Sequence, residues 1–175
     1  MNRIYFDYNA TTPIDPIVLD SMLPYLKNEF GNSSSIHSFG NKAKAALDES
    51  REKVAAFLET KTGEIVFTSG GTESNNSAIK GAAFSLVDKG NHLITTTVEH
   101  ASCLQTFKFL ESRGFEVTYI DVDSKGLLNI QQLKDSIKDK TTLISCMYVN
   151  NETGIINPID QIGEIARENE ILFHT

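Results

Sequence analysis

The chain has 175 residues, 40% of them hydrophobic and 22% charged, and carries a formal net charge of −7. That balance describes a folded globular chain rather than a disordered one, and it argues against a nucleic-acid surface, which needs clustered Lys and Arg. The longest basic cluster, Lys134 to Lys140, is broken by Asp135 and Asp139 and reads as a solvated helix face and loop.

In chain order, residues 16–29 have a helical pattern, with Pro16 in the first turn and Pro24 expected to kink or end the helix. A polar loop, GNSSS, occupies residues 31–35. Residues 41–59 place Ala43, Ala46, Leu47, Val54, Phe57 and Leu58 at helical spacing. EIVFT at 64–68 predicts a strand, followed by a helix over 74–89. Strand HLITT at 92–96 precedes a helix over 101–113 that stops at Gly114. Strands at 116–120, 142–148 and 171–174 alternate with helices at 130–137 and 159–168. The strand runs are near-continuously apolar, as strands buried on both faces of a parallel sheet are. The fold class implied is α/β, three-layer, with a mainly parallel sheet flanked by helices.

Residues 1–8 lack an apolar leader core, and no run is long enough to cross a bilayer. The two cysteines, Cys103 and Cys146, do not suggest a disulfide framework, and no Cys/His spacing suggests a metal site. The predicted last strand ends at Thr175 with no helix after it, which reads as truncation of a longer chain.

Three polar clusters follow predicted strands. FTSGGTESNN at 67–76 runs a strand into glycines and then a helix start, with Thr72 adding a hydroxyl. Physically this is a phosphate cradle, though it matches neither a Walker A loop nor G-x-G-x-x-G. Taken alone, it more often reads as a glycine-rich turn with Thr72 capping a helix. His100 follows strand 92–96, where an imidazole can stack on a planar ring or move a proton; taken alone it reads as a helix cap or a partly exposed histidine. Asn150 and Asn151 follow strand 142–148 and taken alone are turn formers. Their coincidence on one predicted edge of one sheet describes a cofactor pocket. FDYNATTP at 6–13 and NSSSIHSFG at 32–40, with His37, each read alone as loop chemistry.

Together FDYNATTP, GNSSSIHSFG, FTSGGTESNN, VEHAS and VNNETG stand in the order and approximate spacing of the cysteine desulfurases of the NifS/IscS type, within the class-V aminotransferase group of pyridoxal-phosphate enzymes. The resemblance runs from Tyr5 to Thr175. It implies pyridoxal 5'-phosphate as cofactor, with Gly71 and Thr72 at its phosphate, His100 stacked on its ring and assisting proton transfer, and Asn151 at its phenolic oxygen. Asn9, Ala10, Thr11 and His37 match segments at the site entrance. Residues 1–15 would then form an N-terminal segment at that entrance, and 16–175 the N-terminal part of a truncated large cofactor domain.

The resemblance further implies that L-cysteine is converted to alanine while a mobile cysteine takes the sulfur as a persulfide. An acceptor protein then receives it, either an iron–sulfur scaffold or a tRNA-thiolation enzyme. A cytoplasmic homodimer with no direct contact to nucleic acid or membrane and no metal completes the picture. The Asp for the pyridine nitrogen, the Schiff-base Lys and the persulfide Cys of that family fall beyond Thr175, and Cys103 and Cys146 do not match the last of these. A selenocysteine lyase or aminotransferase of the same class, a non-catalytic remnant, and an unrelated phosphate-binding module are the alternatives.

Overall fold

The computed structural model describes residues 3–175, so Met1 and Asn2, at the start of the expected 1–15 segment, lie outside it. Residues 3–67 and 68–175 form two compact units.

In the first unit, α1 spans Pro16–Lys27 and α2 spans Ser38–Phe57. The Asp15 carboxylate accepts the Ile17 N–H at 2.8 Å and caps α1, a bond that stabilises a helix by about 1 kcal/mol. Of the two outcomes expected of Pro24, a kink or an end, the structure excludes the end. The helix continues to Lys27 because proline removes only its own donor, while its carbonyl still accepts from Asn28 and Glu29. No residue of α1 is buried. Helix α2 begins three residues before the expected start at 41, since His37 caps it through Nδ1 to the Gly40 N–H at 3.4 Å. A Cβ on Gly40 would sit 2.1 Å from the Ser35 carbonyl oxygen, so only glycine lets that loop lie on the helix.

The strand predicted at 64–68 is a correction. A 3-10 turn occupies Thr62–Glu64, and Ile65 is extended, but the segment joins no ladder among the described residues. Its β-branched residues favour extended backbone, whereas pairing requires a neighbour that propensity cannot specify. Val66 is 78% exposed; Arg51 donates to the Ile65 carbonyl and stacks 5.0 Å above the Phe67 ring.

The second unit alternates helix and strand. Helix α3 is Gly71–Ser85, β1 His92–Thr96, α4 Ala101–Glu111, β2 Glu116–Ile120, α5 Ile130–Asp135, β3 Thr141–Ser145, α6 Ile159–Glu168 and β4 Leu172–His174. The four strands are parallel in the order β2-β1-β3-β4. Both central strands, β1 and β3, are buried throughout. Their side chains alternate between two cores. Leu93 and Leu143 pack with Ile79, Cys103, Phe107 and Leu110 of α3 and α4. Ile94 and Ile144 pack with Leu133, Ile162 and Ile165 of α5 and α6. Helices on both faces of a parallel sheet make the three layers expected from the apolar strand runs. Each fully buried side chain of this size contributes about 1.5–3 kcal/mol. At the amino end of β1, the buried His92 ring spans the sheet, with Nδ1 2.7 Å from Thr141 Oγ1 and Nε2 2.8 Å from Thr118 Oγ1.

No helix among the described residues is long and apolar enough to cross a membrane.

Candidate functional site

From β1 the chain passes to β2 on one side and later returns to β3 on the other. The carboxyl ends of β1 and β3 therefore flank a switch point, where parallel sheets bind ligands. His100 follows β1 and Asn151 follows β3, so the topology brings both to this edge.

Helix α3 starts beside it. No side chain caps α3, so the first-turn N–H groups have no helical acceptor. Gly70 is extended (φ 160°) and unstrained. A Cβ on Gly71 would meet nothing within 4 Å, which leaves open space where a ligand oxygen can approach the backbone. The Thr72 hydroxyl lies on the exposed side of this turn. The preceding loop is fixed from within. Glu73 Oε2 accepts from Ser69 N at 2.7 Å and Ser69 Oγ at 2.6 Å, and Thr68 Oγ1 lies 2.7 Å from Ser74 Oγ. The two bonds from Ser69 hold the Glu73 carboxyl below the usual carboxylate range. Thr72 is not the cap; the helix begins at Gly71 rather than at the expected position 74.

His100 caps α4. Its Nδ1 accepts from Ser102 N at 3.1 Å and lies 2.8 Å from Ser102 Oγ, which in turn accepts from Asn75 Nδ2 at 2.8 Å. An Nδ1 that accepts carries no proton, so the neutral ring carries its proton on Nε2. The exposed imidazole is thus fixed in orientation with Nε2–H outward. The capping role of the lone histidine and the site role expected from the resemblance are compatible, because the cap uses one nitrogen only. Thr72 and His100 line a single cavity of about 470 Å³ together with Asn76, Ser102, Gln105 and Phe109.

Asn151 lines no part of that cavity. It sits exposed in the turn after β3, 3.3 Å through Nδ2 from Glu152 Oε1. Its neighbour Asn150 is buried, accepts from Glu152 N and Thr153 N at 2.9 Å each, and donates to the Val98 carbonyl at 3.0 Å. Sequence reasoning gave no role to Asn75, Glu99 or Ser102, whose partners lie in other elements. The entrance candidates belong to the first unit. Asn9 and Ala10 form a turn with Ala10 N donating to Asp7 O at 3.1 Å, Thr11 N reaches the same carbonyl at 3.5 Å, and His37 caps α2.

Cys103 and Cys146 are free and buried. Cys103 lies in α4 as expected; Cys146 lies one residue beyond β3 rather than inside it. Burial, reinforced by the Glu99 carboxylate, pushes the two thiols up to about 11 and about 12. Neither is a thiolate nucleophile near neutral pH.

Larger hollows, of about 670 and 620 Å³, lie among α1 and α2 residues and near Lys89 and Lys138 at the amino end of the sheet, and hold none of the candidate residues. The smaller one is lined by residues at the starts of α3 and α4, and these bring Thr72 and His100 to it.

The Aminotransferase class-V family profile matches residues 4–175. The chain is 51% identical over 173 residues to "Cysteine desulfurase IscS" of Dictyoglomus turgidum, covering 99% of this chain and 44% of that protein. It is also 51% identical over 172 residues to "Cysteine desulfurase IscS" of Methanosarcina thermophila, covering 98% and 43%. The chain therefore spans less than half the length of these curated relatives. Among solved structures, a "NIFS-LIKE PROTEIN" superposes with a TM-score of 0.95 at 38% identity, over 99% of this chain and 48% of that one. "SspA in complex with cysteine" superposes with a TM-score of 0.92 at 46% identity, over 98% and 49%. Sequence and fold agree over nearly the whole chain, and it belongs to the class-V aminotransferase family.

Proposed function

We propose that the full-length protein containing this chain is a pyridoxal-phosphate-dependent cysteine desulfurase. It converts L-cysteine to alanine and passes the sulfur, as an enzyme cysteine persulfide, to an acceptor protein for iron–sulfur cluster assembly or tRNA thiolation. The observation that carries this reading is the joint placement of Thr72, at an uncapped helix N-terminus, and His100, at a strand carboxyl end, on one cavity.

The residues fit the cofactor. The open face at Gly71, the first-turn N–H groups of α3 and the Thr72 hydroxyl form a donor set suited to a phosphate dianion. The cofactor, when bound, supplies an electron sink for charge developing at the substrate α-carbon. His100, oriented by Ser102 and Asn75, offers a flat imidazole to stack on a planar ring, with its Nε2 placed to exchange a proton. Asn151 Nδ2 is a donor for a phenolic oxygen. Asn9, Ala10, Thr11 and His37 line the entrance in this reading, with 1–15 as an entrance segment and 16–175 as part of the cofactor domain.

The Schiff-base lysine and the persulfide cysteine are supplied by other parts of the full-length protein. The buried Cys103 and Cys146 support that assignment for the cysteine. The full-length protein is a cytoplasmic homodimer in this reading, checked by sedimentation.

The test is the full-length protein purified and assayed for the cofactor's visible absorption band and for alanine release from L-cysteine. Both are expected. A protein that binds the cofactor but releases no alanine from cysteine overturns the desulfurase assignment, and one without the band overturns the cofactor site.

A further inference from the structure

We propose that Glu99 and Asn150 are positioning residues that lock the His100 loop to the Asn151 loop, so that the two candidate cofactor contacts keep one relative placement; this rests on the cofactor reading above. Each stands immediately before the residue it positions. Glu99 is 7% exposed and Asn150 8% exposed.

The clamp works in both directions. From the loop after β1, Glu99 Oε1 reaches across to accept the Met147 N–H at 2.8 Å, and it also accepts Thr96 Oγ1 at 2.9 Å. From the loop after β3, Asn150 Nδ2 reaches back to donate to the Val98 carbonyl at 3.0 Å. Meanwhile Asn150 Oδ1 closes its own turn onto Glu152 N and Thr153 N. The far end of the same loop is tied in as well, since Asn157 Nδ2 donates to the Met147 carbonyl at 2.8 Å.

A buried carboxylate is an unfavourable choice unless its bonds do something an apolar residue cannot. Here it holds two backbone segments that no ladder joins, beyond the last residues of β1 and β3. Burial pushes the Glu99 carboxyl up. Protonation on Oε2 leaves Oε1 an acceptor, so the clamp holds in either charge state. Both side chains have all these partners within the protein. Their effect on chemistry is therefore geometric, and displacement of a reacting group by about 1 Å costs about 10²-fold in rate.

The test uses the full-length protein and the variants Glu99→Gln, Glu99→Leu and Asn150→Asp. Amide hydrogen exchange is followed in peptides covering 97–104 and 147–154, alongside the cofactor band and alanine release. Glu99→Leu is expected to speed exchange in both segments about tenfold, the scale of one lost buried hydrogen bond. Its kcat is expected to fall about tenfold while the KM for L-cysteine stays within about twofold. Glu99→Gln keeps Oε1 and is expected to restore both readouts to within about twofold of the parent. Asn150→Asp sets a carboxylate oxygen against the Val98 carbonyl, and it is expected to loosen both segments even if the Leu variant does not fold. Loosening confined to one segment, or a Gln variant as impaired as Leu, overturns the clamp. A parent protein without a cofactor band overturns the functional reading instead, while the exchange comparison still decides whether the clamp exists.

Discussion

Asn75 Nδ2 donates to Ser102 Oγ at 2.8 Å and so joins α3, near its start, to the first turn of α4. The same hydroxyl faces His100 Nδ1 at 2.8 Å, so the helix that carries the phosphate-side residue also orients the imidazole. Ser102→Ala removes the bridge without touching the cavity wall elsewhere. It is expected to lower stability by about 1 kcal/mol and to slow alanine release, because the ring keeps only the Ser102 N–H to hold it. His100→Ala is expected to slow turnover more. If Ser102 acts through the ring, the double variant Ser102→Ala/His100→Ala turns over no more slowly than His100→Ala alone. Additive losses in that cycle would show that the hydroxyl acts on something else.

Thr72→Val keeps the shape of the side chain and removes its hydroxyl from the α3 turn. The position is exposed, so the melting temperature should not change. A hydrogen bond to a charged oxygen is worth about 1.5–3 kcal/mol, which corresponds to a loss of roughly tenfold or more in cofactor affinity. Titrating the apo full-length variant with pyridoxal 5'-phosphate reads this directly. Unchanged affinity would move the phosphate away from α3.

The frame of the second unit was legible in the sequence because its signals are local. HLITT and the run after Lys140 are apolar on both faces, and they form the two central strands. EIVFT carries the same local signal and forms no strand among the described residues, since pairing depends on a partner outside the segment. The helix over 71–85 starts earlier than expected because an uncapped glycine start leaves no side-chain signature. The polar clusters at the strand ends were legible as clusters. Their internal wiring was not. Glu99 meets Met147 across 48 positions, Asn150 meets Val98 across 52, and Asn75 meets Ser102 across 27, and no motif spacing encodes such pairs.

His92 predicts a pH dependence. Its ring is enclosed between Thr118 and Thr141, and burial holds its pKa below the ordinary value of 6.5. Lys138 and Lys140 act in the same direction, while Glu116 opposes them. The unfolded chain therefore takes up a proton at a pH where the folded chain does not. Stability is fully present above about pH 6.5 and is lost as pH falls through the folded value. His174, also lowered by burial, adds to the loss with the same sign. In the full-length protein, melting temperatures at pH 7.5 and 5.5 should differ less for His92→Gln than for the parent. The difference should persist in part, because His174 remains. Equal slopes would mean that His92 binds its proton equally in the folded and unfolded states.

The two cysteines are expected to be bystanders to sulfur transfer. Cys103 packs with Phe107 and Leu143 on one face of the sheet, and Cys146 packs with Ile144 and Ile162 on the other. With their thiols raised to about 11 and about 12, both should resist iodoacetamide in the native full-length protein and react on denaturation. Cys103→Ala and Cys146→Ala each remove a small buried side chain and should cost about 1 kcal/mol of stability, while alanine release continues. Peptide mass mapping after brief native alkylation separates the outcomes. Rapid labelling at Cys103 or Cys146, or loss of persulfide formation in either alanine variant, would return the sulfur-accepting role to this chain.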